Sequence, residues 1–184
     1  MRIVGGKFRG RSLLGPKSDA IRPTSDRLRE SLFNVLAHGY GDPCDGARVI
    51  DLFAGSGALG LEALSRGAVY AAFVDQSAEA RGLIRGNVDA MGLSGITGLL
   101  KRDATKLGAL APFEPFTLMF CDPPYRKGLA ERALQSARDG GWLADDALIV
   151  VEEAADTAVA IPVGFVLEER REAGETQLLF LRPA

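Results

Sequence analysis

The sequence has a single histidine, His38. It falls at the end of a stretch with helical spacing, so a dehydrogenase using histidine as proton donor would have to recruit it from there. Only two cysteines occur, Cys44 and Cys121, in unrelated contexts and without metal-ligand spacing. They read as separate thiols in a reducing compartment, with neither a disulfide nor a metal site expected. No uncharged apolar run reaches the ~18 residues of a membrane span. The stretch MRIVGGKFRGRSLLG has no apolar core of the length a secretory signal needs, so the expected compartment is the cytoplasm. Internal repeats and low-complexity tracts are absent too.

What is present suits one globular domain: 184 residues, 47% hydrophobic and 25% charged. Residues 1–184 read as a single domain in which 1–40 form a basic hairpin-and-helix extension. The net charge of −2 argues against a polyanionic partner, but its distribution does not. Residues 1–30 carry eight basic groups against three acids, a net of +5, which leaves −7 for the rest. Such an asymmetry points either to an end that contacts nucleic acid or to a solvated face.

Along the chain, the alternation around GGKFRG suggests a short basic hairpin. Thr24 and Ser25 can both cap a helix, in which Leu28, Leu32, Val35 and Leu36 recur at helical spacing as far as Gly39. Strand and helix patterns then alternate. ARVIDLF, AAFVDQ, ITGLLKRD, FTLMFCD and ALIVVEEA read as strands, and GALGLEALSRG, SAEARGLIRGNVDAMG and GLAERALQSARDGG as helices. Strands that are almost wholly apolar, interleaved with helices, imply a doubly wound α/β fold whose mostly parallel sheet is covered on both faces. FVLEERREAGETQLLFLRP holds two strand-like runs too close for a helical crossover, so they should pair antiparallel at the sheet's far end.

Two loops carry the chemistry. In VIDLFAGSGALGLEAL, Asp51 ends a strand, and Gly55, Gly57 and Gly60 match G-x-G-x-x-G at the entry to a helix. Glycine lets a backbone approach a ligand closely, and the helix start offers amides. Asp75 closes the next strand, where a carboxylate would grasp ribose hydroxyls. A nucleoside-bearing cofactor follows, NAD or S-adenosylmethionine. Asp51 favours the second, because a carboxylate there opposes a pyrophosphate but suits a cationic sulfonium and amino group.

The second loop is CDPPYRKG. Two prolines fix two φ angles and remove two backbone donors, leaving a rigid, acceptor-rich lip beside an aromatic ring. If ARVIDLF and FTLMFCD flank the point where the sheet's winding reverses, both loops face one crevice. The Asp122 carboxylate and Pro123 carbonyl would accept the two N–H groups of an exocyclic base amine and turn its lone pair toward a methyl donor. Tyr125 would stack on the base. Cys121 has no evident base to activate it and reads as core.

The glycine loop together with CDPPY resembles the class I S-adenosylmethionine-dependent methyltransferases that modify exocyclic amines. MRIVGGKFRGRSL and IRPTSDRLRESLFNVL add a more specific likeness: the whole chain resembles the RsmD family of 16S rRNA guanine-N2 methyltransferases. The resemblance implies a Rossmann-like seven-stranded sheet and, as substrate, guanine 966 of 16S rRNA, met either as naked rRNA or in the assembling small subunit; a monomer would suffice. It implies that Asp51, Gly55 and Gly57 line the cofactor, that Asp75 holds its ribose, and that Asp103, with Ala104 beside it, accepts from the adenine amine. Asp122, Pro123 and Tyr125 would present the target base, Pro124 and Tyr125 would touch it, and Arg9 and Arg11 would contact RNA. Asp75 departs mildly from the family, where glutamate is frequent. The rival readings are a DNA or RNA adenine-N6 methyltransferase, an NAD-linked oxidoreductase and a non-catalytic RNA-binding module.

Overall fold

In the computed structural model, which describes residues 1–17 and 24–184, seven strands form one sheet in the order β3-β2-β1-β4-β5-β7-β6. Asp19 and Arg22, two of the N-terminal charges, and Pro23 lie outside the described residues. Strands β1 (Arg48–Leu52), β2 (Tyr70–Val74), β3 (Thr97–Leu100), β4 (Phe116–Cys121) and β5 (Leu143–Ala154) run parallel. β6 (Phe165–Ala173) and β7 (Thr176–Pro183) form the antiparallel hairpin, with β7 inserted next to β5. β5 starts four residues before the apolar run ALIVVEEA, because Leu143 pairs with Phe116 across a register shift.

Alternate residues of the central strands serve opposite faces. Val49, Leu118 and Phe120 join Leu32, Phe33 and Leu61 in one core layer. Ile50, Met119 and Ile149 join Leu134, Trp142 and Leu181 in the other. Burial on both faces explains why these strands show no polar alternation. The outer strand β6 is charged and mostly exposed, with Glu168, Glu169, Arg170, Arg171 and Glu172 in succession, a composition that discourages pairing with another chain's edge.

Helix α1 (Asp26–Gly39) starts at Ser25, whose hydroxyl accepts from the Leu28 amide at 3.1 Å. Thr24, the other candidate cap, is engaged elsewhere. α2 (Ala58–Ser65) follows the glycine loop, α3 (Ala78–Met91) is capped by Ser77 and ended by Gly92 at φ +67°, and α4 (Leu129–Asp139) follows the proline lip. The N-terminal hairpin closes around the Arg2–Ser12 bridge, with the Ile3 amide donating to Arg11 O, Leu13 to Met1 O and Gly10 to Ile3 O. It is also pinned to α2: the Lys7 amide donates to Ser65 O, the Phe8 amide to Ser65 Oγ, and the Val4 and Gly5 amides to the Glu62 carboxylate.

Candidate active site

β1 and β4 are neighbours, and the sheet is wound in opposite directions on either side of them. Leu52 pairs with Cys121, so Phe53 and Asp122 leave the sheet side by side. The glycine loop and the proline lip therefore start from neighbouring strand ends, the place where open parallel sheets bind ligands.

The β1 side is a tightly bent loop. Phe53, Gly55 and Gly57 all have positive φ (+55°, +59° and +81°). Glycine takes this conformation without cost, while Phe53 is strained there. A Cβ on Gly57 would also press on Phe73 and Ile84 at 3.2 and 3.3 Å. Gly60 has a different reason to be glycine. A Cβ there would lie 2.5 Å from the Phe73 ring, so this position serves the packing of α2 on β2.

Asp75 stands half-buried at the end of β2. Its carboxylate accepts from the Gly55 amide at 3.0 Å and the Ser77 amide at 2.9 Å, tying the loop to the start of α3. Asp103, beyond the end of β3, forms a local turn: Oδ1 accepts from the Thr105 hydroxyl at 2.7 Å and its amide at 2.8 Å. These bonds hold its carboxyl below the usual range. Ala104 beside it is buried.

Asp51 lies beneath the glycine loop. It is only 1% exposed, and Oδ2 accepts from the Gly60 amide at 3.0 Å. Burial pushes its carboxyl up to about 8, so it is largely neutral at pH 7. The carboxyl group supports the loop from beneath, and its burial weighs against the expected charge opposite a sulfonium.

On the β4 side, Asp122 Oδ2 accepts from the Thr24 hydroxyl at 3.0 Å. Pro123 is buried, Pro124 exposed and Tyr125 half-buried. The Tyr125 hydroxyl sits 2.6 Å from Glu152 Oε1 and 2.9 Å from Thr176 Oγ1, on β5 and β7. The next residue, Arg126 at φ +62°, donates its amide to Glu153 Oε1 at 3.0 Å. Glu152 and Glu153 are 4% and 2% exposed. Two buried glutamates thus latch the lip from behind. Sequence reading took VVEEA only as the end of a strand; two acids closing an apolar strand were the available signal. Cys121 is fully buried, which pushes its thiol well above the ordinary range and leaves it inert.

The N-terminal segment packs against both sides. Asn87, 2% exposed, exchanges hydrogen bonds with the Leu14 backbone and donates to Ser56 O of the glycine loop at 3.0 Å. Arg29, counted among the basic groups of the N-terminus, is wholly buried and adds nothing to a surface potential. It donates to Thr24 O, Arg2 O and Asp26 and faces Glu62 at 3.6 Å. Arg9 and Arg11 are exposed, Arg11 over the Phe8 ring with one N–H on Ala90 O.

Among the described residues no group of three or more His, Cys, Asp or Glu side chains is placed to hold a metal, and no helix is long and apolar enough to cross a membrane.

A seven-stranded, mostly parallel sheet with an antiparallel β7, a glycine loop after β1 and an acidic proline lip after β4 defines a Rossmann-like class I methyltransferase. Residues 1–182 match the family model described as Conserved hypothetical protein 95. The chain is 39% identical to ribosomal RNA small subunit methyltransferase D of Escherichia coli strain K12, over 95% of this chain and 86% of that one. It is 32% identical to the Haemophilus influenzae protein of the same name, over 95% and 89%. The solved structure of the E. coli methyltransferase yhhF superposes with a TM-score of 0.82 at 36% identity, covering 100% of this chain and 97% of that one. The chain belongs to the RsmD family.

Proposed function

We propose that this protein methylates the exocyclic N2 amine of a guanine in 16S rRNA, at position 966, with S-adenosylmethionine as donor. The observation that carries the reading is the Asp122–Pro123–Pro124–Tyr125 lip set beside the glycine loop across the β1–β4 boundary, in a chain of this family.

The residues present fit that cofactor. Asp75 combines a half-buried carboxylate with a loop whose positive φ angles bring backbone close to the crevice, and suits the ribose hydroxyls. Gly55 and Gly57, through the positive φ angles they allow, would bring backbone to the chain ending in the amino acid, and Asp103 with Ala104 would meet the adenine. When bound, S-adenosylmethionine supplies an electrophilic methyl group on a sulfonium.

The protein's own part is alignment. An exocyclic amine is a poor nucleophile because its lone pair is delocalised into the ring. Asp122 and the Pro123 carbonyl accept its two N–H groups, orient the lone pair and stabilise the positive charge that develops on nitrogen. Transfer would form the N–C bond as the methyl–sulfur bond breaks and a neutral thioether leaves, and the amine's surplus proton would depart toward the Asp122 side. The Tyr125 ring fixes the plane of the base, and no covalent enzyme intermediate is needed. Exposed Lys7, Arg9 and Arg11 suit phosphate contacts.

The reading is tested by incubating the protein with labelled S-adenosylmethionine and either unmodified 16S rRNA or small ribosomal subunits, then mapping the modified nucleotide. Label on a guanine N2 is expected; label on adenine N6, or none on either RNA substrate, would overturn it.

A further inference from the structure

We infer that Thr24 is a positioning residue for methyl transfer: it donates its hydroxyl hydrogen to Asp122 and so fixes the rotation of the carboxylate that receives the target amine. The inference rests on the role proposed above for Asp122.

Four observations carry it. The Thr24 hydroxyl is 3.0 Å from Asp122 Oδ2 across 98 residues of sequence, and Thr24 is 7% exposed. It is available because the residue beside it, Ser25, caps α1. Its backbone is held from behind, since Arg29 Nη1 donates to Thr24 O at 3.1 Å. Arg29 is in turn buried against Glu62, which also takes the Val4 and Gly5 amides and Arg66 Nε, each at 2.9 Å. A rigid chain of contacts therefore runs from α2, which starts at the glycine loop, through Arg29 to Thr24 and onto the lip.

The chemistry needs such a device. A carboxylate that rotates about χ2 presents its lone pairs to the amine in many directions, and only a narrow range leaves the nitrogen lone pair aimed at the methyl group. A neutral hydroxyl donor on Oδ2 restricts that rotation without consuming the carboxylate's charge. The N-terminal segment is thereby part of the catalytic centre as well as an RNA-facing extension.

The test compares Thr24→Val, which keeps the shape and removes the donor, with Thr24→Ser, which keeps the donor. Single-turnover methyl transfer to the RNA substrate, KM for RNA, S-adenosylmethionine affinity by calorimetry and melting temperature are measured for each. Thr24→Val is expected to slow transfer about ten- to a hundredfold, the range for a hydrogen bond to a charged group. KM and cofactor affinity should stay within about twofold, a shift small beside the tenfold worth of 1.4 kcal/mol. Thr24→Ser should recover most of the rate. In an Asp122→Ala background, Thr24→Val should add no further loss, since the two act as a unit. Wild-type transfer by Thr24→Val, a loss that Thr24→Ser fails to restore, or additive effects in the double variant would overturn the positioning role while leaving the proposed function standing. A wild-type protein unable to methylate rRNA would overturn that function and this inference with it.

Discussion

On the β1 side of the site, the carboxyl groups that shape the loop lie close in sequence to the amides they receive: Asp51 to Gly60 across 9 residues, Asp75 to Gly55 across 20. On the β4 side, the lip is tied across 98 residues to Thr24, 27 to Glu152 and 51 to Thr176. The two sides also differ in material. The glycine-loop side, proposed to hold the cofactor, is mainly backbone bent by glycine, while the lip is a set of side chains held by other side chains. A backbone cradle tolerates change in its surroundings, whereas the lip depends on strands and segments that must already be in place. The cofactor side should therefore respond to local changes in affinity, and the lip in rate.

The largest effect is expected at the lip. Asp122→Ala should reduce methyl transfer by a hundredfold or more, the scale seen when a single preorganised electrostatic partner is removed, with S-adenosylmethionine affinity preserved in calorimetry. Near-normal turnover would reduce the lip to a strand-ending turn and erase the contrast.

On the cofactor side, Asp75→Ala removes the acceptor of the Gly55 amide along with the proposed ribose contact. A hydrogen bond to a charged group is worth about 1.5–3 kcal/mol, so affinity should fall at least about tenfold. Unchanged affinity in a folded variant would refute the ribose assignment.

The same division governs what could be read from the sequence. The sheet, its helices and the final hairpin follow from apolar runs and turn residues, which are local signals. The glycine loop and Asp75 could be read because their partners lie within one strand–helix–strand unit. The lip was visible as a rigid acceptor, but not what holds it. Thr24 reads as a helix cap and Glu152 and Glu153 as strand ends, and only the folded chain brings them to the site. Arg29 misled for the same reason: a basic residue in a basic segment looks like surface charge until Glu62, 33 residues on, is found buried against it.

Tyr125 separates ring from tether. Tyr125→Phe keeps the aromatic face and removes the hydroxyl that reaches Glu152 and Thr176. Loss of the two hydrogen bonds, about 0.5–1.5 kcal/mol each, should slow transfer by about fivefold to a hundredfold if the tether holds the ring's plane. Tyr125→Ala should cost more, adding the base stacking of about 1–3 kcal/mol. Equal rates for wild type and Tyr125→Phe would show that packing alone orients the ring, so that the β5 and β7 contacts would serve stability only.

The smallest effect on binding is expected at Asp51, where the cofactor side is supported from below. Burial raises its carboxyl from 3.8 to about 8, against the pull of the Gly60 amide and with the Asp75 charge adding to the rise. Because the folded value lies above the unfolded one, the neutral form favours the fold. That contribution is complete below about pH 4 and is lost as pH rises through about 8. Asp51→Asn keeps an oxygen for the Gly60 amide and does not titrate in this window. Its melting temperature should therefore depend less on pH between about 4 and 8 than that of the wild type. S-adenosylmethionine affinity should stay within about threefold, less than the tenfold that 1.4 kcal/mol would produce. A tenfold loss of affinity, with the pH dependence of stability unchanged, would instead put an ionised Asp51 against the cofactor and restore the charge argument that its burial speaks against.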